Sequence, residues 1–153
     1  MKYDTAQPYV AAYVLIRKDG KIPFLLRSNT TWLNGHYGLA PSGKVEKGET
    51  FLQAAVRETK EEVGITLQPE DLKQIMICHR SEDPTMSWVD MWFEATDWQG
   101  ELVNAEPDTH SALDWLDPQN LPENIMPSHR FMLQNALAGK SYCEYGWGVE
   151  KTG

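Results

Sequence analysis

The sequence is poor in cysteine and in positive charge. It has two cysteines, Cys78 and Cys143, among 153 residues. They cannot form a disulfide framework and match no CxxC metal pattern, so we expect two reduced structural thiols in a cytosolic protein. Lysine and arginine number 14 against 22 aspartates and glutamates, which gives a net charge of −8. This balance argues against bulk, sequence-independent binding to nucleic acid. Small phosphorylated substrates remain compatible with it, because a bound divalent cation can supply positive charge locally.

Long hydrophobic runs are also absent. The first apolar run, residues 8–16, is too short to span a bilayer and is followed at once by Arg17 and Lys18. No basic segment and small-residue cleavage site bracket it as in a signal peptide. We therefore expect a cytoplasmic protein that does not bind membranes. A length of 153 residues with 41% hydrophobic residues fits a single globular domain over residues 1–153.

The spacing of apolar residues predicts strands around one long helix. Strands are predicted over residues 9–17, 22–27, 36–40, 73–79, 88–96 and 110–116, and residues 41–43 are expected to form a turn. Helices are predicted over residues 50–63, which end before Gly64, and 126–137, which end before Gly139. The expected core residues of the first helix are Leu52, Ala55, Val56, Thr59 and Val63. This order indicates an α+β fold with a mixed sheet between helices, an α/β/α sandwich.

Three glutamates on the first predicted helix carry the main chemical signal. Glu58, Glu61 and Glu62 are spaced i, i+3 and i+4, so they share one face, opposite the apolar stripe. Carboxylates crowded on adjacent turns repel one another. A hard cation such as Mg²⁺ takes carboxylate oxygens and keeps several waters or phosphate oxygens as further ligands. The alternative is a solvated charged face, in which Lys47, Arg57 and Lys60 act as counter-charges.

Residues 43–65, GKVEKGETFLQAAVRETKEEVGI, resemble the signature of the Nudix hydrolase family, GX5EX7REUXEEXGU, in which U is a bulky aliphatic residue. The matching positions are Gly43, Glu49, Arg57, Glu58, Glu61, Glu62, Gly64 and Ile65. Thr59 departs from the pattern, at a position where we expect a cost in packing rather than in catalysis. The order of strands and helices is also similar to the family's fold. The resemblance, to MutT-like nucleoside triphosphate pyrophosphohydrolases in particular, implies a hydrolase.

The resemblance also implies roles for the matched residues. Glu58, Glu61 and Glu62 would hold one or more Mg²⁺ ions, which Mn²⁺ could replace, against the phosphates of the substrate. A carboxylate on this face would take a proton from the attacking water. Arg57 would orient a carboxylate, such as that of Glu49, through a charge-assisted fork. These implied roles place Glu58, Glu61 and Arg57 in catalysis and Glu49 in support of the motif.

Further residues flank the motif. Gly43 would allow the tight loop before the helix, and the carbonyl of Ser42 would be a metal ligand, although many relatives have glycine at that place. Glu106 lies before a predicted strand that contains a tryptophan, as in Nudix nucleoside triphosphatases, and is predicted to bind metal or activate water. Asp108 is its nearest competitor.

Two basic residues are predicted to bind substrate phosphate. Arg27 ends the second predicted strand, and Lys44 follows the key glycine; an ordinary surface charge is the alternative for both. The four histidines show no ligand spacing and are not expected to bind zinc. Residues 127–129 lack the acids with which purine-cleaning relatives read the base, which argues against 8-oxoguanine specificity.

The predicted function is Mg²⁺-dependent hydrolysis of a nucleoside diphosphate-linked pyrophosphate bond, with a (d)NTP cut to a (d)NMP and pyrophosphate as the first candidate. ADP-ribose, a nucleotide sugar and the 5′ end of RNA are alternative substrates. A catalytically inactive Nudix domain that senses a ligand is the alternative from another class, but such a domain is expected to lose acidic positions that this sequence retains. We expect a monomer or a homodimer.

Overall fold

The structure, a computed structural model, describes residues 4–148. In chain order its elements are β1 (Tyr9–Leu15), β2 (Ile22–Arg27), β3 (Tyr37–Leu39), β4 (Ser42–Lys44), α1 (Phe51–Val63), β5 (Leu72–Asp83), β6 (Met86–Ala95), β7 (His110–Leu116), α2 (Pro127–Leu137) and β8 (Tyr142–Tyr145). A short 3-10 turn, Pro69–Asp71, precedes β5. The predicted single-domain span also includes residues 1–3 and 149–153, which lie outside the described part, so that span stays a prediction.

The strands form two sheets. The larger is mixed and has the order β4-β1-β6-β5-β8, and the smaller is antiparallel and has the order β3-β2-β7. In the larger sheet β1 and β6 run parallel, whereas β4 pairs antiparallel to β1 with Tyr13 opposite Ser42. Strand β4 is therefore an edge strand of the larger sheet, and it leads directly toward α1.

The two helices cover opposite faces of the larger sheet. Successive residues of β1 point to opposite faces. Tyr13 and Leu15 pack in the same core cluster as Met132 and Leu133 of α2. Side chains of the other face pack with α1 in a second cluster, whose β1 members are Ala12 and Val14 and whose α1 members are Ala54, Ala55 and Val63. The predicted α+β sandwich of mixed sheet and helices is confirmed, with the strands divided between two sheets.

Two local predictions are wrong, and one strand was missed. Residues 41–43 do not form a free turn, because Ser42–Lys44 is strand β4, paired with β1. Strand β8 was not predicted; its four residues carry only a weak alternating pattern, and it forms by parallel pairing with β5. Leu52 of α1 is 39% exposed, whereas Ala54 is fully buried. In the described part of the chain, no helix is long and apolar enough to cross a membrane.

Candidate active site

Helix α1 has a defined beginning and end, which fixes the rotation of its acidic face. Thr50 is the N-cap, and its hydroxyl accepts a hydrogen bond from the Gln53 N–H at 3.1 Å while the Gln53 side chain accepts from the Thr50 N–H. Gly64 ends the helix in the left-handed conformation, at φ 78°, and its N–H donates to the Lys60 carbonyl. The end at Gly64 is the one the sequence predicts, since a residue without a Cβ adopts this conformation at little cost.

Arg57 lies at the centre of a network of carboxylates. Its guanidinium forms a two-pronged fork with Glu49, with Nε and Nη2 donating at 2.7 and 2.9 Å. Nη1 donates to Glu58 at 2.8 Å and to Glu61 at 3.1 Å, and Nη2 also reaches the Lys44 carbonyl at 3.0 Å. Hydrogen bonding to Arg57 lowers the pKa of Glu49 to about 2. One cation thus ties the loop, β4 and two of the predicted catalytic glutamates together.

Glu58 packs directly against the backbone of Gly43. A Cβ placed on Gly43 would lie 2.1 Å from the carboxyl carbon of Glu58 and 2.4 Å from both carboxylate oxygens. Position 43 therefore has to be glycine for Glu58 to keep this position. Burial raises the pKa of Glu58, opposed by Arg57 and reinforced by the charges of Glu61 and Glu106.

Glu62 is held by the backbone of the same strand, β4. One of its carboxylate oxygens accepts a hydrogen bond from the Ser42 N–H at 3.0 Å. Burial raises the pKa of Glu62 well above its ordinary value, and the nearby carboxylates of Glu58 and Glu106 raise it further. A partly buried carboxylate surrounded by like charge is costly to ionise unless a cation is present. Ser42 thus contributes its backbone N–H to the position of the Glu62 carboxylate.

Glu106 joins this acidic group, whereas Asp108 does not. Glu106 is partly buried, and burial together with the charge of Glu61 raises its pKa. Its charge in turn raises the pKa of both Glu58 and Glu62. Asp108 is exposed, and its carbonyl accepts a hydrogen bond from Asn29. Glu58, Glu61, Glu62 and Glu106 therefore lie near enough for their charges to act on one another.

The two predicted phosphate-binding residues are placed differently. Arg27 lines a cavity of about 150 Å³ together with Ser42 and Glu62. Its guanidinium is held by the Trp32 carbonyl at 3.0 Å and by the Thr30 hydroxyl at 3.3 Å. The Lys44 ammonium instead lies 5.8 Å from the centre of the Trp88 ring, and Lys44 does not line this cavity. The geometry favours Arg27 over Lys44 as a contact near the acidic group.

Two histidines that sequence reasoning set aside also line this cavity. His110 begins β7, and His129 lies in the first turn of α2. Nδ1 of His129 accepts a hydrogen bond from the Leu39 N–H at 2.9 Å, and burial lowers its pKa to about 3, so the ring is neutral. The spacing of His110 and His129 along the chain does not indicate that they line one cavity, because this arrangement arises only from the packing of β3, β7 and α2.

The donor set fits a hard divalent cation. Within residues 4–148, no three acidic, histidine or cysteine side chains converge into a complete cation cluster. Mg²⁺ does not need such a cage, since it commonly takes one or two carboxylates and keeps water and phosphate ligands. The four glutamates supply oxygen donors, and their mutual repulsion is the property that a cation would relieve.

A larger surface depression lies elsewhere. Its volume is about 1300 Å³, and it opens between the β5–β6 hairpin and the segment after β8, with Tyr9, Phe131 and Trp147 among its lining residues. None of the predicted catalytic or metal-binding residues lines it. The acidic group is the candidate active site instead, because the carboxylates that raise one another's pKa values lie there.

Comparisons with known proteins identify the family of this chain. The model of the NUDIX domain matches residues 6–136. The chain is 32% identical to the asymmetrical bis(5′-nucleosyl)-tetraphosphatase of Caenorhabditis elegans, over 89% of this chain and 87% of that protein. It is 35% identical to the ADP-ribose pyrophosphatase of Methanocaldococcus jannaschii, over 76% and 66%. The structure is similar to that of the MutT NUDIX hydrolase from Burkholderia pseudomallei, with a TM-score of 0.74, 31% identity and coverage of 84% and 98%. The chain belongs to the Nudix family and is a pyrophosphohydrolase that acts on nucleotide derivatives.

Proposed function

We propose that this enzyme hydrolyses a nucleoside triphosphate to the monophosphate and pyrophosphate in the presence of Mg²⁺. The observation that carries the proposal is a group of carboxylates whose charges raise the pKa values of Glu58, Glu62 and Glu106, beside a small cavity that Arg27 and Glu62 line. The similarity to a MutT NUDIX hydrolase over 98% of that chain supports the reaction class.

Each residue has a role that follows from its contacts. Arg57 is itself anchored by Glu49 and donates hydrogen bonds to Glu58 and Glu61. Its proposed role is therefore to orient these metal-binding carboxylates and not to contact the substrate. The Arg27 guanidinium donates hydrogen bonds to the Trp32 carbonyl and the Thr30 hydroxyl in its own loop, and its other N–H groups suit a phosphate oxygen. Glu106 makes no side-chain hydrogen bond within the described residues, which leaves its carboxylate available as a general base.

The metal would be held by Glu58, Glu61 and Glu62, with Glu106 and the Ser42 carbonyl as further candidates. The chemistry that a bound divalent cation supplies is neutralisation of phosphate charge and a lower pKa for a coordinated water. Electrostatic positioning of this kind provides most of the catalysis in phosphoryl transfer. Arg27 would contact the same polyphosphate as the acidic face, because Arg27, Ser42 and Glu62 line one cavity.

Product analysis tests the bond assignment. The protein is incubated with Mg²⁺ and each (d)NTP, and products are separated by chromatography with and without inorganic pyrophosphatase. We expect the nucleoside monophosphate, with orthophosphate only after pyrophosphatase is added. Direct release of orthophosphate and a nucleoside diphosphate would contradict the proposal. No turnover of any nucleotide would favour the inactive sensor.

Glutamine variants test the residues. Glu61→Gln and Glu62→Gln should each lower the maximal rate by roughly 10²-fold or more. Glu101→Gln is the matched control, since Glu101 is exposed and lies outside the acidic group. Rates within about twofold of the parent for both site variants, too small for a ligand or a base, would remove these residues from the site.

A second candidate substrate is a dinucleoside tetraphosphate. The C. elegans tetraphosphatase is similar over 89% of this chain, and its substrate contains the same phosphoanhydride linkage. The same assay separates the two candidates: asymmetrical cleavage yields a nucleoside triphosphate and a monophosphate. A kcat/KM at least tenfold higher for the tetraphosphate than for the best triphosphate would favour the second candidate. ADP-ribose and nucleotide sugars complete the panel.

A further inference from the structure

Cys78 and Cys143 lie directly opposite one another on neighbouring strands. Strands β5 and β8 run parallel, and the two cysteines are partners in their register. Parallel neighbours are about 4.8 Å apart, which is within the range of about 4.4 to 6.8 Å that a disulfide requires between Cα atoms. Both side chains face the same core cluster. The structure therefore brings together two thiols that are far apart in the sequence.

The two thiols act on each other within this buried cluster. Interaction with the Cys78 thiol lowers the pKa of Cys143. The Met76 sulfur lies 3.9 Å from the Cys143 sulfur on the same face. A thiolate is the reactive form of cysteine, so Cys143 is the residue that an oxidant would meet first. Cys143 also belongs to β8, an edge strand, and is 7% exposed, whereas Cys78 is fully buried.

We propose that Cys78 and Cys143 form a reversible intramolecular disulfide when the protein meets a hydroperoxide. The Cys143 thiolate attacks the peroxide, its sulfur becomes a sulfenic acid, and the O–O bond breaks with release of hydroxide. Cys78 then displaces the hydroxyl group as water, and the S–S bond forms. In total, two thiols and one hydrogen peroxide give one disulfide and two waters, with two electrons passing from sulfur to oxygen.

The crosslink would fasten the short edge strand to the sheet interior. Strand β8 has four residues and pairs with β5. The indole N–H of Trp147, just after β8, donates to the His79 carbonyl, next to Cys78. A covalent bond at Cys143 prevents β8 from separating from the sheet while β5 remains folded. The bond also lowers the conformational entropy of the unfolded chain, which stabilises the folded state. This inference does not rest on the proposed function, since neither cysteine belongs to the acidic group.

Intact mass measurement tests the proposal. The fully reduced protein is treated with hydrogen peroxide in steps, free thiols are alkylated, and the mass is measured without reductant. We expect a monomer that has lost two hydrogen atoms and both reactive thiols, that regains them with dithiothreitol, and whose melting temperature is higher by about 5 °C while oxidised. Peptide mapping should join the peptides that contain Cys78 and Cys143.

Two single variants serve as controls. Cys143→Ala and Cys78→Ala should each lose the crosslinked product, and a loss of folding in either would leave the test on the parent protein intact. Unreacted thiols, irreversible addition of oxygen atoms or disulfide-linked dimers in the parent would each overturn the proposal. Activity is not needed as a readout, so an inactive enzyme would refute the proposed function without affecting this result.

Discussion

At the scale of single residues, Gly43 and Glu58 depend on each other. We expect Gly43→Ala to displace the Glu58 carboxylate, because the new methyl group would lie only 2.1 Å from the Glu58 carboxyl carbon. The flexible side chain can move, so the fold should survive with a small loss of stability. The maximal rate should fall by roughly 10²-fold, as for loss of a ligand or base. Steady-state kinetics and a melting curve measure the two effects.

Gly139→Ala is the matched control for this substitution. Gly139 follows α2 at φ 77° and has nothing within 4 Å of an added Cβ. Alanine there should cost about 1 kcal/mol in backbone strain and leave the rate unchanged. If Gly43→Ala retained full activity, or lost it only by unfolding, the close approach to Glu58 would have no catalytic meaning.

Glu106 and Asp108 form a second matched pair. Glu106→Gln should lower kcat by about 10²- to 10⁴-fold if the residue is the base, whereas Asp108→Asn should leave kcat within twofold, because Asp108 is exposed. A base that is removed also eliminates the acidic limb of the rate profile, while a lost ligand is partly restored by Mn²⁺. The kinetics of both variants, measured across pH with each metal, distinguish these roles. Equal effects of the two substitutions would contradict the assignment of Glu106.

The sequence anticipates the helical part of the site better than the rest. Spacing places Glu58, Glu61 and Glu62 on one face, because a helix turns by a fixed angle for each residue. Thr59 was expected to weaken packing, but its hydroxyl donates to the Ala55 carbonyl at 2.6 Å inside the helix and is thereby satisfied. His129 could not be predicted, since its partner Leu39 lies 90 positions away.

At the scale of elements, one buried histidine joins α2 to β3. The pKa of His129 is lowered to about 3 by burial, whereas an unfolded histidine titrates near its ordinary value of about 6.5. The folded state therefore binds fewer protons, and the stabilising contribution is complete above pH 6.5 and lost as the pH falls toward 3. Each pH unit in this range should remove about 1.4 kcal/mol.

His129→Gln isolates this contribution. At pH 7 the variant should melt at a lower temperature than the parent, because it loses the hydrogen bond that the Leu39 N–H donates to His129 Nδ1. The difference in melting temperature should shrink as the pH is lowered to 4.5. Melting curves at half-unit intervals give the result, and a difference that stays constant with pH would show that His129 is not the titrating group.

The helices and strands with a strong hydrophobic periodicity were predicted. The strands that form only by pairing with a neighbouring strand were missed. Helix α1 and strands β1, β2 and β7 have clear periodicity and were predicted nearly to their ends. The three residues of β4 have no such pattern, and they become a strand only because β1 offers an unpaired edge. The same applies to β8, which depends on β5.

At the scale of the whole molecule, metal binding should reverse the order of stability of two proteins. In EDTA at pH 7, Glu62→Gln should melt at or above the parent, because the ionised Glu62 is penalised by burial and by neighbouring charge. With Mg²⁺ in excess the parent should gain stability, by about 2.7 kcal/mol at a hundredfold excess over Kd, and the variant should gain less. Thermal unfolding with and without EDTA tests this crossover. Equal metal-induced shifts would exclude Glu62 as a ligand.

The edge position of β4 has a consequence for solubility. Open strand edges invite pairing with other chains, and proteins protect them in specific ways. On the outer side of β4, the Ser42 N–H donates to Glu62 and the Lys44 carbonyl accepts from Arg57. The residues proposed for catalysis thus also occupy the hydrogen-bonding groups through which a foreign strand would attach. A variant that lacks both the Glu62 and the Arg57 side chains would leave these backbone groups of β4 free to pair with another chain. Such a variant should therefore aggregate at concentrations at which light scattering shows Glu61→Gln to remain soluble.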